Sequence, residues 1–310
     1  MILTLTANTT IDLTVVIPTY AVGKTTRASE TIQSMGGKPT DASWILGELG
    51  FTSRALGFTA GAMGQKVKAL LQARGAIPDF IEVEGDTRTN IIIVAEDQPA
   101  QTTITTSTLL VSEDHIAQLK AKFLEWLPHM SCLVIGGTLP RGMKAEFYTE
   151  LIGWARAQNV PTIFDAAEAN LRAGLEARPL YIKPNQDELA QLVGHEITTL
   201  DVAYQAGRDI LENYGTQVII TLGKDGALAV LKDRAYRIPP LPIQAVSASG
   251  AGDGMLAGIA ASIDQNLPIE DGLRLGTATA SAVCLMLGTA DCRREDVERL
   301  LPLVELIPYP

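Results

Sequence analysis

Short runs of apolar residues alternate along this chain with longer stretches whose apolar positions recur every three or four residues. Ile2–Leu5 reads as a buried strand. Lys38–Leu49 reads as a helix, with Ala42, Ile45, Leu46 and Leu49 on one face and Gly50 as its stop. Arg54–Phe58 is a second strand, followed by a helix over Gln65–Arg74 that Gly75 ends. Leu133–Ile135, Thr162–Phe164 and Val218–Thr221 repeat the strand signature, each beside a helical segment. This alternation predicts an α/β fold with a doubly wound, mostly parallel sheet and helices on both faces. Two regions break the rhythm. Ile11–Gln33 and Thr87–Thr108 are rich in Thr, Val and Ile with partial alternation, and read as exposed antiparallel strands forming a small sheet over one edge.

Composition narrows the class. With 46% hydrophobic residues and only 5% aromatic, the core must be built from Leu, Ile, Val and Ala. The 310 residues read as one domain, with the two irregular regions inserted in it. A net charge of -10 argues against nucleic-acid binding, so cations that hold an anionic ligand must be locally concentrated. Cys132, Cys284 and Cys292 form neither a disulfide framework nor a Cys-x-x-Cys site, and the three histidines have no metal-ligand spacing. No apolar stretch is long enough to span a membrane, and no signal segment is visible; the expectation is a cytoplasmic protein.

The chemistry concentrates in Val246-Ser247-Ala248-Ser249-Gly250-Ala251-Gly252-Asp253-Gly254-Met255, where small residues lead into an acid and an apolar helix with Met255, Leu256, Ile259 and Ile263. Free N–H groups at a glycine-rich helix start, with the dipole behind them, make an anion site. A carboxylate placed there can accept a proton from an attacking hydroxyl. The competing reading is an Asp that caps a helix above a tight turn.

Ser249-Gly250-Ala251-Gly252-Asp253, with the following small residue, Met and Ala-Gly pair, resembles the C-terminal signature of the PfkB (ribokinase-like) family of carbohydrate kinases. Gly36-Gly37-Lys38 resembles its N-terminal glycine pair, Asn185-Gln186-Asp187-Glu188 its Asn-x-x-Glu motif, and Thr221-Leu222-Gly223-Lys224-Asp225-Gly226 its nucleotide-side turn, all in order. The resemblance implies a ribokinase-like fold and transfer of the γ-phosphoryl group of Mg·ATP, with Asp253 as general base. It implies an anion hole at the Gly250, Ala251, Gly252 and Asp253 backbone, and nucleotide contacts from Lys183, Asn185, Thr221, Gly223 and Gly226. Asn185 and Glu188 would organise Mg²⁺ through water. Read by themselves, Asn185 and Glu188 are equally a helix N-cap and its capping-box acid.

Within the family, Thr6–Asp12 and Thr87-Arg88-Thr89-Asn90-Ile91 resemble the phosphofructokinase and tagatose-6-phosphate kinase branch. That resemblance implies a sugar-phosphate acceptor. Asp12, Gly36, Gly37, Asp41 and Thr138 would contact the sugar, and Lys38, Arg88 and Arg27 or Lys24 its phosphate. The two irregular segments, about 11–33 and 87–108, would form a lid able to support a homodimer. The chain departs from the branch at Pro39 and Asp41, where Gly and Asn are usual, and at Gly136-Gly137-Thr138-Leu139-Pro140, which lacks one hydroxyl. Pro39 removes a backbone donor, and Asp41 adds negative charge near an anionic substrate unless it is paired with a base such as Lys38. An unphosphorylated sugar, polyol or nucleoside therefore stays open as acceptor, as does an inactive sugar-binding protein on the same scaffold. A Walker A loop at Gly23-Lys24-Thr25 fails for want of a glycine at Pro18, and Thr6–Ile11 contains no glycine for a dinucleotide fingerprint.

Overall fold

Single-residue alternation along the central strands divides their side chains between two cores. Leu3 and Leu5 of the strand Ile2–Thr6 join one apolar cluster with Leu133, Ile135, Phe164, Val218 and Ile220, whereas Ile2 joins a second with Cys132, Val134, Ile163 and Ile219. The first cluster is closed by helices from Glu113–Trp126 to Leu200–Tyr214, the second by Lys38–Glu48, Ala251–Asp264 and Ile269–Val283. A strand buried on both faces must be apolar on both, which is why these runs read as unbroken rather than alternating.

The computed structural model describes residues 1–97 and 101–310. Its main sheet is 11-stranded. Gln217–Thr221, Tyr181–Ile182, Thr162–Asp165, Cys132–Gly136, Ile2–Thr6 and Ser53–Thr59 run parallel in that spatial order. Ala227–Val230, Ala235–Ile238 and Ile307–Tyr309 extend it antiparallel beyond Gln217–Thr221, an edge the sequence patterns did not reveal. The helix expected from Gln65 begins at Gly61 and continues to Ala73.

The two irregular regions pair with each other in a separate four-stranded sheet, ordered Glu30–Gly36, Thr10–Ile17, Arg88–Ala95, Gln101–Ile104. Part of the Thr87–Thr108 segment, residues 98–100, lies outside the described residues. The expectation of purely antiparallel pairing is corrected. Thr10–Ile17 and Arg88–Ala95 are parallel in the middle, with an antiparallel partner on either side. Nor are the strands exposed throughout, because Ile11, Val16 and Ile92 are buried.

Lys38–Glu48 starts without a side-chain cap. Gly37, at φ 99°, turns the chain into the helix, and the Thr40 amide donates to Thr6 Oγ1 at 2.9 Å. Pro39 lies in the first turn, where its missing N–H removes no helical hydrogen bond. Ala251–Asp264 packs on Ile269–Val283 through small residues: a Cβ at Gly254 would fall 2.6 Å from the Ala280 nitrogen, and one at Gly258 would collide with the Gly276 backbone. Gly258→Val is expected to destabilise the fold by about 1–3 kcal/mol or more through overpacking, measured by urea denaturation. A variant with wild-type stability would contradict this close approach.

Candidate active site

The chemistry gathers where the parallel strands end. Beyond the C-terminal ends of Thr162–Asp165, Tyr181–Ile182 and Gln217–Thr221 opens a cavity of about 680 Å³. Open α/β sheets bind ligands at this carboxyl edge, where loops diverge and helix N-termini converge. Lys183, Asn185, Glu188, Thr221, Gly223 and Gly226 line the cavity together with Gly250, Ala251, Gly252 and Asp253. Leu241, Ile243, Met255 and Cys284 add apolar lining to it.

At the cavity floor, Asp165 is 1% exposed and carries two lysines: Lys38 Nζ lies 2.7 Å from Oδ1 and Lys183 Nζ 2.9 Å from Oδ2. Burial alone would push the Asp165 carboxyl up, but Lys183 and Lys38 outweigh it and hold the group below its usual range. Lys38 also donates to Glu188 Oε1 at 2.9 Å. Burial would lower the Lys38 pKa, and Asp165 and Glu188 together raise it instead. Glu188 completes a capping box: its Oε2 accepts from the Asn185 amide at 2.9 Å, and Asn185 Oδ1 accepts from the Glu188 amide at 2.8 Å. The capping role read from the spacing is therefore real, while both side chains still face the cavity. Asp165 lay one residue beyond the strand expected at Thr162–Phe164 and was assigned no role; the structure extends that strand to it. A lone acid closing a buried strand was the available signal.

Gly250 caps Ala251–Asp264 in the left-handed region, φ 78°, pressed so closely on the Ala290 backbone that a Cβ would not fit. The three amides of the turn differ. Ala251 N–H donates to the Ala248 carbonyl at 3.3 Å and Asp253 N–H to the Gly250 carbonyl at 3.0 Å. Gly252 N–H has no acceptor among the described residues, and a Cβ at Gly252 would lie 3.1 Å from Lys183 Nζ. Asp253 is buried in the first helical turn. Its carboxyl is pushed up to about 7, by burial first and then by the charge of Asp165, with Lys183, Lys38 and a hydrogen bond from Asp41 opposing the rise.

Asp12 and Arg88 converge beside the small sheet. Asn90 Nδ2 donates to Asp12 Oδ1 at 3.0 Å, and burial raises the pKa of that carboxyl although Asn90 and the charge of Arg88 oppose the rise. Gly36 lies against the same carboxyl. Thr138 Oγ1 accepts from Asn8 Nδ2 at 2.9 Å and from Arg88 at 3.3 Å, and Thr108 Oγ1 donates to Asn8 Oδ1 at 2.6 Å. Asn8, Asn90 and Thr108 are polar members of this cluster to which the sequence assigned no role, although each lies in or beside a recognised stretch. Asp41 is 3% exposed, in hydrogen-bond contact with Asp253 and under the field of Asp12. Lys38 does not pair with Asp41, because Asp165 and Glu188 hold its ammonium. Arg27 is exposed in the connection between two small-sheet strands and forms no ion pair among the described residues.

The sequence profile of the pfkB family carbohydrate kinases matches residues 5–296. The 1-phosphofructokinase of Bacillus subtilis is 30% identical over 308 residues, covering 99% of each chain. The tagatose-6-phosphate kinase of Staphylococcus epidermidis is 27% identical over 310 residues, again 99% of each. The crystal structure of phosphofructokinase-2 from Escherichia coli in complex with substrates and products superposes with a TM-score of 0.90 at 29% identity, covering 97% of this chain and 98% of that one.

Since the Asp165 carboxyl is depressed in the fold, it contributes stability above its unfolded pKa that is lost as pH falls through the folded value. Lys183→Met should cost about 3–5 kcal/mol near neutrality by leaving a buried charge half-paired. In chemical denaturation at a series of pH values, the gap to wild type should narrow below about pH 4, where the carboxyl takes a proton. A gap independent of pH would show that Lys183 does not act through Asp165.

Proposed function

This chain belongs to the pfkB family of carbohydrate kinases and is a phosphotransferase, and from that premise we propose that it phosphorylates a hydroxyl of a sugar phosphate at the expense of Mg·ATP. The observation that carries the reading is the Asp253 carboxyl, buried at a helix N-terminus beside the Gly252 amide and Lys183, with its pKa near 7. A base poised near the working pH combines a useful ionised fraction with driving force for proton uptake. Asp253 takes the proton of the acceptor hydroxyl as that oxygen bonds to the γ-phosphorus. The bond from the γ-phosphorus to the β–γ bridging oxygen breaks, and its electron pair leaves with ADP. The Gly252 N–H and the Lys183 ammonium face the charge that develops on the transferred phosphoryl oxygens.

The cavity's Thr221–Gly226 turn and apolar lining suit a nucleotide. Among the described residues no group of three acids, histidines or cysteines could cage a metal. Glu188 and Asn185 instead fit a hydrated Mg²⁺ whose inner sphere is mostly water and phosphate oxygen. When bound, that ion supplies neutralisation of the triphosphate charge.

For the acceptor, the cluster of Asp12, Asn8, Thr138 and Arg88 offers sugar-hydroxyl partners and one guanidinium for a phosphate. The two relatives described above carry phosphofructokinase and tagatose-6-phosphate kinase in their names, which supports a hexose phosphate. The small sheet acts as a lid over this cluster, excluding water during transfer, and its outer face is the surface for a homodimer. One observation favours a second reading, an unphosphorylated sugar: Lys38 is held by Asp165 and Glu188, which leaves Arg88 without a second cation near Asp12.

Asp253→Asn is expected to retain the fold and nucleotide binding while kcat falls about 10²–10⁴-fold. In the wild type, kcat/KM should fall as pH drops below about 7, where Asp253 becomes protonated. Near-wild-type kcat in the variant would remove Asp253 from its role. Arg88→Ala should lower kcat/KM for sugar phosphates by about 10–100-fold, as expected for a lost hydrogen-bonded charge contact, and leave free sugars little changed. A wild type that prefers the free sugar, with Arg88→Ala indifferent, would select the second reading.

A further inference from the structure

The reaction outlined above leaves one buried acid unused. Asp41 projects from the first turn of Lys38–Glu48, 3% exposed, and its carboxyl meets that of Asp253 in hydrogen-bond contact across the interface with Ala251–Asp264. Its Oδ1 has no hydrogen-bond partner among the described residues. Two carboxylate oxygens cannot share such a contact while both are charged; one must carry a hydrogen.

The surrounding charges offer no alternative. On its own helix, Asp41 has Lys38, whose ammonium is held at 2.7 Å by Asp165 and 2.9 Å by Glu188. From the strand Thr10–Ile17 comes Asp12, a like charge, with Arg88 directed at Asp12 rather than at Asp41. From Ala251–Asp264 comes Asp253, which itself faces Asp165, Lys183 and Lys38. Lys183 is 2.9 Å from Asp165. A second negative charge at Asp41 would thus stand beside two acids, with no ion-paired cation of its own among the described residues.

We propose that Asp41 and Asp253 hold one proton between them in the free enzyme, with Asp41 as its keeper and donor, so that Asp41 is a positioning acid that orients the base. This rests on the reading of Asp253 as base. A protonated carboxyl presents a donor and carries no charge, so the acid at position 41 need not repel an anionic acceptor. Burial, Asp253 and Asp12 all push the Asp41 carboxyl in the direction this requires, well above the ordinary 3.8.

The sign of the stability effect follows from linkage. Between 3.8 and its folded value, native Asp41 keeps a proton that the unfolded chain has released, so this group's contribution to stability declines as pH rises through that window. Asp41→Asn keeps a neutral donor beside Asp253, as the protonated acid does, so the difference between wild type and variant reports chiefly on the proton at position 41. The unfolding midpoint of the wild type relative to Asp41→Asn should fall progressively as pH rises above about 4. Parallel curves over that range would overturn the proposal, and this readout does not depend on turnover. In kcat/KM profiles, Asp41→Ala removes the donor to Asp253 and should move the acid limb upward by about one pH unit, while Asp41→Asn restores it. An acid limb unmoved in Asp41→Ala would also overturn it. If instead Asp253→Asn remains active, the base assignment fails while the stability comparison still reports whether the two carboxyls share a proton.

Discussion

Asp165 closes a fully buried strand with a carboxylate that has no water to solvate it, and two lysines from different parts of the chain supply what water would have given. An unpaired charge in that position would cost several kcal/mol, so the lysines are obligatory rather than decorative. Lys38 brings with it the start of the Lys38–Glu48 helix, and through Glu188 the capping box that begins the helix Gln186–Val193. Lys183 is set against the glycine turn that carries Asp253. One buried acid therefore registers three helix starts at the carboxyl edge of the sheet. Side-chain positions there inherit the rigidity of the strands rather than the mobility of the loops.

Charge is distributed unevenly around this anchor. Lys38 and Lys183 serve the floor of the cavity through Asp165. The other side holds Asp12, Asp41 and Asp253, with Arg88 as the cation directed there. Burial raises the carboxyl pKa of all three acids, each by a different mixture of desolvation and neighbouring charge. Separated environments for neighbouring carboxyls are how one site can hold an acid and a base at a single pH. An overall net charge of -10 gives no hint of that arrangement.

Much of the framework was legible from local pattern. The strands at Ile2, Leu133, Thr162 and Val218 and the helix at Lys38 stand where periodicity put them, because residues buried on both faces must be apolar and helical faces must repeat every turn. The turn at Gly250 was readable for a different reason: a left-handed residue against another backbone admits only glycine. The antiparallel edge from Ala227 to Tyr309 was not readable, since its strands are short and one arrives from the far end of the chain. Parallel pairing between Thr10–Ile17 and Arg88–Ala95 was hidden likewise, because alternation reports which faces are buried and not strand direction.

By itself, then, the sequence determined the layered α/β architecture, the separate small sheet and the residue types of the Gly250–Asp253 turn, all of which depend on short-range patterns. Partnership was decided by the tertiary structure. Lys38 could have faced a substrate phosphate or Asp41, and the fold gave it to Asp165 and Glu188, 127 and 150 residues away. Asp41 could have been an ordinary ionised side chain, and the packing of its helix against Ala251–Asp264 set it on Asp253. Charge state and partner choice follow from desolvation and from distances between groups remote in sequence, and both quantities exist only once the chain has closed.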